Sequence, residues 1–215
     1  MKSFAVIGLG RFGYSLATTL CKLGHEVLAV DIDEKPIRAI KSEVTHAVQA
    51  NTTDEQTLYK LGIRNFDCVA ICLGDDIRSS ILTTVLCKDL GAKLIIAKAS
   101  DDLHAKLLYK TGADKVIQPE RDSGARLARS LTSDSIVDYL ELSDEYSINE
   151  IRIPQNWVEK SLVELDVRTK FGISVIAIRR NDEIIVTIDP QKPLCENDIL
   201  VIIGSNEQLA KVEKL

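Results

Sequence analysis

No apolar run in this 215-residue chain approaches the roughly 20 residues that a bilayer-crossing helix requires, so no membrane span is expected. The first residues, MKSFAVIG, pass straight into strand-forming sequence without a charged-then-apolar leader, so the chain is expected to be soluble and untargeted. Cysteine is sparse and unpaired. Cys21, Cys68, Cys72, Cys87 and Cys195 are odd in number, lie mostly in apolar stretches and form no C-x-x-C cluster. That pattern argues against a zinc site and a disulfide framework and fits a reducing cytoplasm. Basic charge is in deficit, 27 Lys and Arg against 32 Asp and Glu, for a formal net charge of −5. A general nucleic-acid binder presents a basic face to phosphates, so no nucleic-acid partner is expected. Repeats and low-complexity segments are also absent.

Catalytic constellations are equally scarce. There is no G-x-x-x-x-G-K-[ST] loop and no other evident means of positioning an attacking water, which argues against an ATPase. The three histidines, His25, His46 and His104, fall at a helix–strand turn, a strand start and a helix start. None has an obvious acid partner, so each is expected to be structural.

What the chain does have is VIGLGRFG at Val6 to Gly13, a G-x-G-x-x-G directly after an apolar strand-like stretch. Gly8 permits the tight turn out of the strand, Gly10 lets backbone approach a phosphate, and Gly13 lets the next helix pack close to the sheet. That helix starts near Arg11 and points unpaired N–H groups at the anion. The context fits: SLATTLCKL reads as an amphipathic helix, and HEVLAVDID as a second strand ending in Asp31, near the spacing of roughly 20 residues at which an acid accepts from ribose hydroxyls. Asp33 points to the same side if that strand continues, or caps the helix that begins near Glu34. Asn51 and Thr52 end a third strand at the ligand-facing edge, and Lys98 ends LIIAKA at the same edge, where a cation can meet phosphate.

From Ser3 to about Gln118, six strand patterns alternate with helical ones, and VAICL and LIIA are continuously apolar, as strands are when both faces of a parallel sheet are covered. Pro119 suits the first turn of a helix, which RDSGARLARSL continues; the acid Glu120 is favourably placed at that helix N-terminus. From about Ser133 the strands become short and hairpin-like: YSINEIRIP, then GISVIAIRR and EIIVTI joined across Asn181-Asp182, then DILVIIG before a closing helix. The expectation is therefore a Rossmann-like doubly wound α/β domain over residues 1–132, followed by a small α+β domain over 133–215. Between its strands, DVRTKFGIS reads as an exposed turn with an aromatic anchor.

FAVIGLGRFG, GHEVLAVDID, THAVQANTTDE, LGIRNFD, GADKVIQPERD, LSDEYSI and DVRTKFGISVIAI together resemble the RCK family, regulators of potassium conductance, and within it the cytosolic gating subunits of Ktr/Trk-type bacterial potassium uptake systems. The resemblance covers essentially the whole chain and implies an RCK-N domain followed by an RCK-C domain. It implies ATP or ADP on the glycine loop, with Phe12 beside it and Arg11 reaching the terminal phosphate of ATP in a neighbouring subunit. It implies an adenine-side role for Asn51 and Thr52, and Glu120 as a ligand to a divalent cation, Mg²⁺ or Ca²⁺, near the phosphates. It also implies a cyclic di-AMP groove formed by Arg168, Lys170, Phe171, Gly172, Ile173, Ser174 and Pro190; some relatives carry Asn where this chain has Ser174. Homodimers assembling into an octameric ring, docked at the inner face of the membrane beneath a potassium-translocating subunit, complete the implied picture. The fingerprint and Asp31 serve an NAD(H)-binding redox sensor or an NAD-dependent oxidoreductase equally well, and both stand as alternatives.

Overall fold

The structure is a computed structural model. It describes residues 1–132, 136–143, 145–181, 183–212 and 215, without side-chain detail at 129, 130, 132, 136–139 and 141. Backbone contacts divide the chain into two units, Met1–Pro119 and Glu120–Leu215.

In the first unit, β1 (Ser3–Ile7), β2 (Glu26–Asp31), β3 (His46–Gln49), β4 (Cys68–Ile71), β5 (Ile95–Lys98) and β6 (Lys115–Ile117) form one parallel sheet in the order β3-β2-β1-β4-β5-β6. They alternate with α1 (Arg11–Lys22), α2 (Glu34–Ile40), α3 (Glu55–Lys60), α4 (Ile77–Asp89) and α5 (Asp102–Thr111). The continuous apolarity of the strands has the expected cause. Ala5, Ile7, Val30, Val69 and Ile71 pack into one core, while Val6, Ala29 and Ala70, on the opposite side of the same strands, pack into another. Both sheet faces are thus covered, and the order reverses between β1 and β4, the switch point at which such sheets hold ligands.

Short polar side chains set the ends of these elements. Asp54, Asp76 and Asp101 cap α3, α4 and α5 by accepting the N–H groups of Thr57, Ser79 and His104. Asp67 accepts from the Ser3 N–H at 2.9 Å and Asp114 from the Ile95 N–H at 2.7 Å, which ties loops to the starts of β1 and β5.

Helix α6 (Pro119–Thr132) begins on the last residue of the first unit and runs on in the second, which continues with β7 (Ile136–Glu141), β8 (Tyr146–Arg152), α7 (Leu162–Leu165), α8 (Val167–Phe171), β9 (Ser174–Arg180), β10 (Glu183–Ile185), β11 (Ile199–Ser205) and α9 (Asn206–Val212). Its antiparallel sheet runs β10-β9-β11-β8-β7. Three details differ from the sequence expectation. β7 precedes YSINEIRIP, the first strand expected in this domain, and pairs with β8. β10 stops at Ile185, because Ile188 N–H turns back to the Val186 carbonyl. DVRTKFGIS is not an exposed turn but holds the one-turn helix α8, started at Asp166 and stopped at Gly172, both left-handed with φ 47° and 73°. The β9–β10 hairpin carries Asn181 at φ 48°, while Asp182 lies outside the described residues, as do residues 133–135 at the expected domain start.

The core of this unit gathers Ile151, Trp157, Ile173, Leu194, Leu200, Ile202 and Leu209. Beside it the fully buried Asp198 accepts from Arg180 Nε and an Arg180 terminal nitrogen, each at 2.7 Å, and from the Cys195 N–H at 2.8 Å. Burial opposes ionisation of Asp198, but the guanidinium fork and the backbone N–H outweigh it and hold the carboxyl below its usual range. A carboxyl with a depressed folded value stabilises the fold above its unfolded value and loses that contribution as pH falls through the folded one. Asp198→Asn is therefore expected to cost about 2 kcal/mol at pH 7. The difference from the parent should shrink as pH falls below about 4, near the unfolded carboxylate value. Urea titrations followed by the fluorescence of buried Trp157, the sole tryptophan, check both.

Candidate nucleotide-binding site

A cleft of about 260 Å³ opens at the carboxyl ends of the parallel strands, lined by Gly8 and Gly10 after β1, Asp31 at the end of β2 and Asp33 beyond it, Asn51, Thr52 and Thr53 after β3, and Cys72, Gly74, Asp75, Asp76 and Ser79 after β4. The three glycines do three different jobs there. Gly8 has φ +89°, and a Cβ on it would lie 2.8 Å from Leu73 Cδ2. At Gly13 a Cβ would fall 1.9 Å from the Gly8 carbonyl oxygen, so only glycine lets α1 close on the loop. At Gly10 a Cβ would meet nothing within 4 Å: the space is open on the cleft side.

Gly10 is also the N-cap of α1, and it has no side chain to satisfy the orphan N–H groups of the first turn, which carries no acidic residue. A helix start of this kind is a ready anion site. Asp31 holds the loop in place. Its Oδ2 accepts from the Leu9 N–H at 2.6 Å and its Oδ1 from the Asp33 N–H at 2.9 Å. A carboxylate has further lone pairs, so a ribose hydroxyl can still donate to it. Asp33 occupies the N-cap position of α2 but makes no capping hydrogen bond, and the residue lines the cleft. Asn51 Oδ1 closes a turn by accepting from the Thr53 N–H at 3.0 Å and the Thr53 hydroxyl at 2.8 Å. Burial pushes the Cys72 thiol up to about 12, against the pull of the Lys98 ammonium, so no thiolate nucleophile faces the cleft.

Residues 4–119 match the TrkA-N domain and residues 148–215 the TrkA-C domain. Ktr system potassium uptake protein C of Bacillus subtilis (strain 168) is 44% identical over 213 residues, covering 99% of this chain and 96% of that protein. Ktr system potassium uptake protein A of the same organism is 45% identical over 212 residues, with the same coverage of each. The chain belongs to the Ktr family of potassium uptake proteins. Among solved structures, the GsuK channel bound to NAD superposes on the whole Ktr-family chain with a TM-score of 0.71 at 20% identity; the chain spans 39% of that channel. GsuK bound to ADP matches 62% of this chain and 36% of its own with a TM-score of 0.54, also at 20% identity. These two likenesses concern the fold.

The structure brings Gly8, Gly10, Asp31, Asp33, Asn51 and Thr52 together in one cleft. Arg11, exposed, and Phe12, half-buried, begin α1 beside it without lining it. Lys98 is outside the lining too; its stem lies against Gly74, where a Cβ would meet Lys98 Cε at 3.1 Å. Glu120 is exposed in the first turn of α6 and belongs to the second unit. In that unit Arg168 and Lys170 are exposed on α8, and Ser174 and Pro190 are exposed as well. Phe171 is half-buried, with its ring 5.5 Å from that of Trp157. Gly172 closes against Gln208, and Ile173 is fully buried in the core, so its side chain is not at the surface. Of the histidines, His25 has its ring tilted against that of Phe4 with the centroids 5.4 Å apart, His46 is exposed, and buried His104 accepts the Ser100 N–H on Nδ1.

Sequence reasoning nominated nothing after β4, yet Gly74, Asp75, Asp76 and Ser79 form a full wall. The available signal was topological: LGDD follows the strand that neighbours β1 across the switch point.

Gly13→Ala is expected to cost about 3 kcal/mol or more through overpacking against backbone, read as a lower urea midpoint. Gly10→Ala is expected to leave that midpoint unchanged while weakening ATP and ADP binding about tenfold, an affinity change of roughly 1.4 kcal/mol, by filling the space next to the helix start.

Proposed function

We propose that this chain is a cytoplasmic regulatory subunit, peripheral to the membrane, that gates a membrane-embedded potassium-translocating partner by reading which nucleotide occupies the cleft. The observation that carries this reading is the uncapped start of α1, open at Gly10 and flanked by Asp31 and Asp33 in a cleft at the switch point. Family membership supplies the potassium context: the two Bacillus relatives are potassium uptake proteins. ATP and ADP phosphates meet the α1 amides, the ribose meets Asp31 and Asp33, and Asn51 and Thr52 face the base. Residues 1–132 form the nucleotide-binding half and 133–215 the regulatory half, where Arg168, Lys170 and Ser174 offer contacts to cyclic di-AMP.

The chain reads nucleotide without consuming it. Burial keeps the Cys72 thiol protonated, the sequence carries no G-x-x-x-x-G-K-[ST] loop, and of the cleft carboxylates Asp31 is engaged by the Leu9 and Asp33 N–H groups and Asp76 by the Ser79 N–H. ATP differs from ADP by one phosphate, and Arg11, exposed at the helix start, is the group to register it across a dimer interface. Preferential binding to one arrangement of subunits is the only way a ligand shifts such an equilibrium, so the ATP-favoured arrangement is the one in which Arg11 is engaged. Dimers close into an octameric ring, which repeats that interface around the assembly. Among the described residues no three His, Cys, Asp or Glu side chains converge as a metal cage. Glu120 is the candidate carboxylate ligand for a divalent cation, Mg²⁺ or Ca²⁺, both of which take oxygen ligands.

A second reading, NAD(H) sensing, is favoured by the same acid pair at the ribose position and by the NAD-bound state of a channel of the same fold. Titration of nucleotide-stripped protein with ATP, ADP, NAD⁺ and NADH, with and without Mg²⁺, separates the two. Comparable ATP and ADP affinities with different assembly behaviour support the gating reading; a response to NADH alone replaces it with redox sensing. Arg11→Ala is expected to keep ADP affinity within about threefold, under 1 kcal/mol, and to abolish the difference between ATP and ADP in assembly size. A variant that still distinguishes them contradicts the role given to Arg11.

A further inference from the structure

Helix α4 leaves the switch-point edge with its first turn in the cleft wall: Asp76 caps it by accepting the Ser79 N–H at 3.0 Å, and both residues line the cleft. Beyond that turn the helix carries Ser80, Thr83 and Thr84, all fully buried. A hydroxyl taken out of water costs free energy unless it is hydrogen-bonded, so the partner of each such group matters. Thr84 bonds within its own helix, donating to the Ser80 carbonyl at 2.7 Å. Thr83 does not. Its hydroxyl donates to the main-chain carbonyl of Thr52 at 3.2 Å and makes a second 3.2 Å contact with Thr52 Oγ1. Because Thr83 has one hydroxyl proton and spends it on the carbonyl, Thr52 is the donor in the second contact. The two threonines, 31 residues apart, thus each donate a hydroxyl proton to the other.

Thr52 is also buried although its residue lines the cleft. Its hydroxyl is committed to α4, and its contribution to the cleft is the shape of the wall. The geometry points to Thr83, a residue outside the lining, as a positioning residue for that wall: it fastens Asn51–Thr53 to the helix whose first turn forms the neighbouring wall. The sheet order gives this a direction. Glycine loop, Asp31 and the Asn51–Thr53 wall end the adjacent strands β1, β2 and β3, about 4.8 Å apart. That succession suits phosphate, ribose and base, so Thr83 bears on the base end and not on the phosphate end. Thr83 acts in this way only if the cleft takes a nucleotide, as proposed above.

The test uses the full chain with three probes, ATP, ADP and inorganic tripolyphosphate, and with urea unfolding measured alongside. Thr83→Val keeps the shape and removes the hydroxyl. It is expected to weaken ATP and ADP binding about tenfold and to leave tripolyphosphate binding unchanged, while Thr83→Ser restores the parent affinities. A purely structural role predicts instead a lower urea midpoint with nucleotide affinity intact in the folded protein; that result overturns the inference, as does equal weakening of all three probes. Should Thr83→Val fail to fold, Thr52→Val removes only the hydroxyl–hydroxyl contact. Its expected loss is about threefold for ATP with tripolyphosphate unchanged, and unchanged ATP affinity overturns the inference. Parent protein that binds neither ATP nor ADP overturns the nucleotide reading itself and the role of Thr83 with it, whereas parent binding with an indifferent Thr83→Val overturns only the latter.

Discussion

Helix α1 approaches the β1 loop so closely that Gly13 leaves no room for a Cβ beneath the Gly8 carbonyl, and the cleft depends on that approach. It brings the uncapped helix start to the edge of the sheet, where the N–H groups of the first turn meet a space that Gly10 leaves open. The loop is then held from the neighbouring strand, because Asp31 accepts from the Leu9 N–H and again from the Asp33 N–H. A positive helix end and a pair of carboxylates thus stand side by side, one suited to phosphate and the other to a sugar diol. Of the remaining walls, Asp76 caps its own helix through the Ser79 N–H and Asn51 closes its own turn on Thr53, while the Thr52–Thr83 contact joins the two.

The second unit reaches its stability differently. Among the described residues its strands are antiparallel, and they pack against an apolar cluster around Trp157, Ile173 and Leu200. A buried carboxylate, Asp198, is tolerated beside that cluster because Arg180 meets it with two nitrogens and the Cys195 N–H supplies a third bond. The same packing decides which residues of DVRTKFGIS remain at the surface. Arg168, Lys170 and Ser174 do, whereas Ile173 is spent on the core.

Much of this was legible in the sequence wherever a local rule decides structure. The apolar runs VAICL and LIIA signalled a sheet covered on both faces, and the glycine spacing marked the turn, the open approach and the close packing at Gly8, Gly10 and Gly13 in turn. Helix α8 was not legible, because one turn held between two left-handed residues has no periodicity to detect. The dual grip of Asp31 was hidden for another reason: it depends on the path the loop takes back over β2, and the spacing that marks a ribose ligand says nothing about backbone donors. Thr83 lies further still from any signal. A threonine on a helix bonded to another one 31 residues earlier leaves no mark in either segment.

Hydrogen exchange of the nucleotide-stripped protein, measured segment by segment with and without ADP, tests the central claim most directly. If the start of α1 is the phosphate site, ADP slows exchange first in the segment from Gly8 to Gly13 and in the Asp31–Asp33 turn. ADP binding with no protection in those segments, and with protection confined to the second unit, contradicts the account.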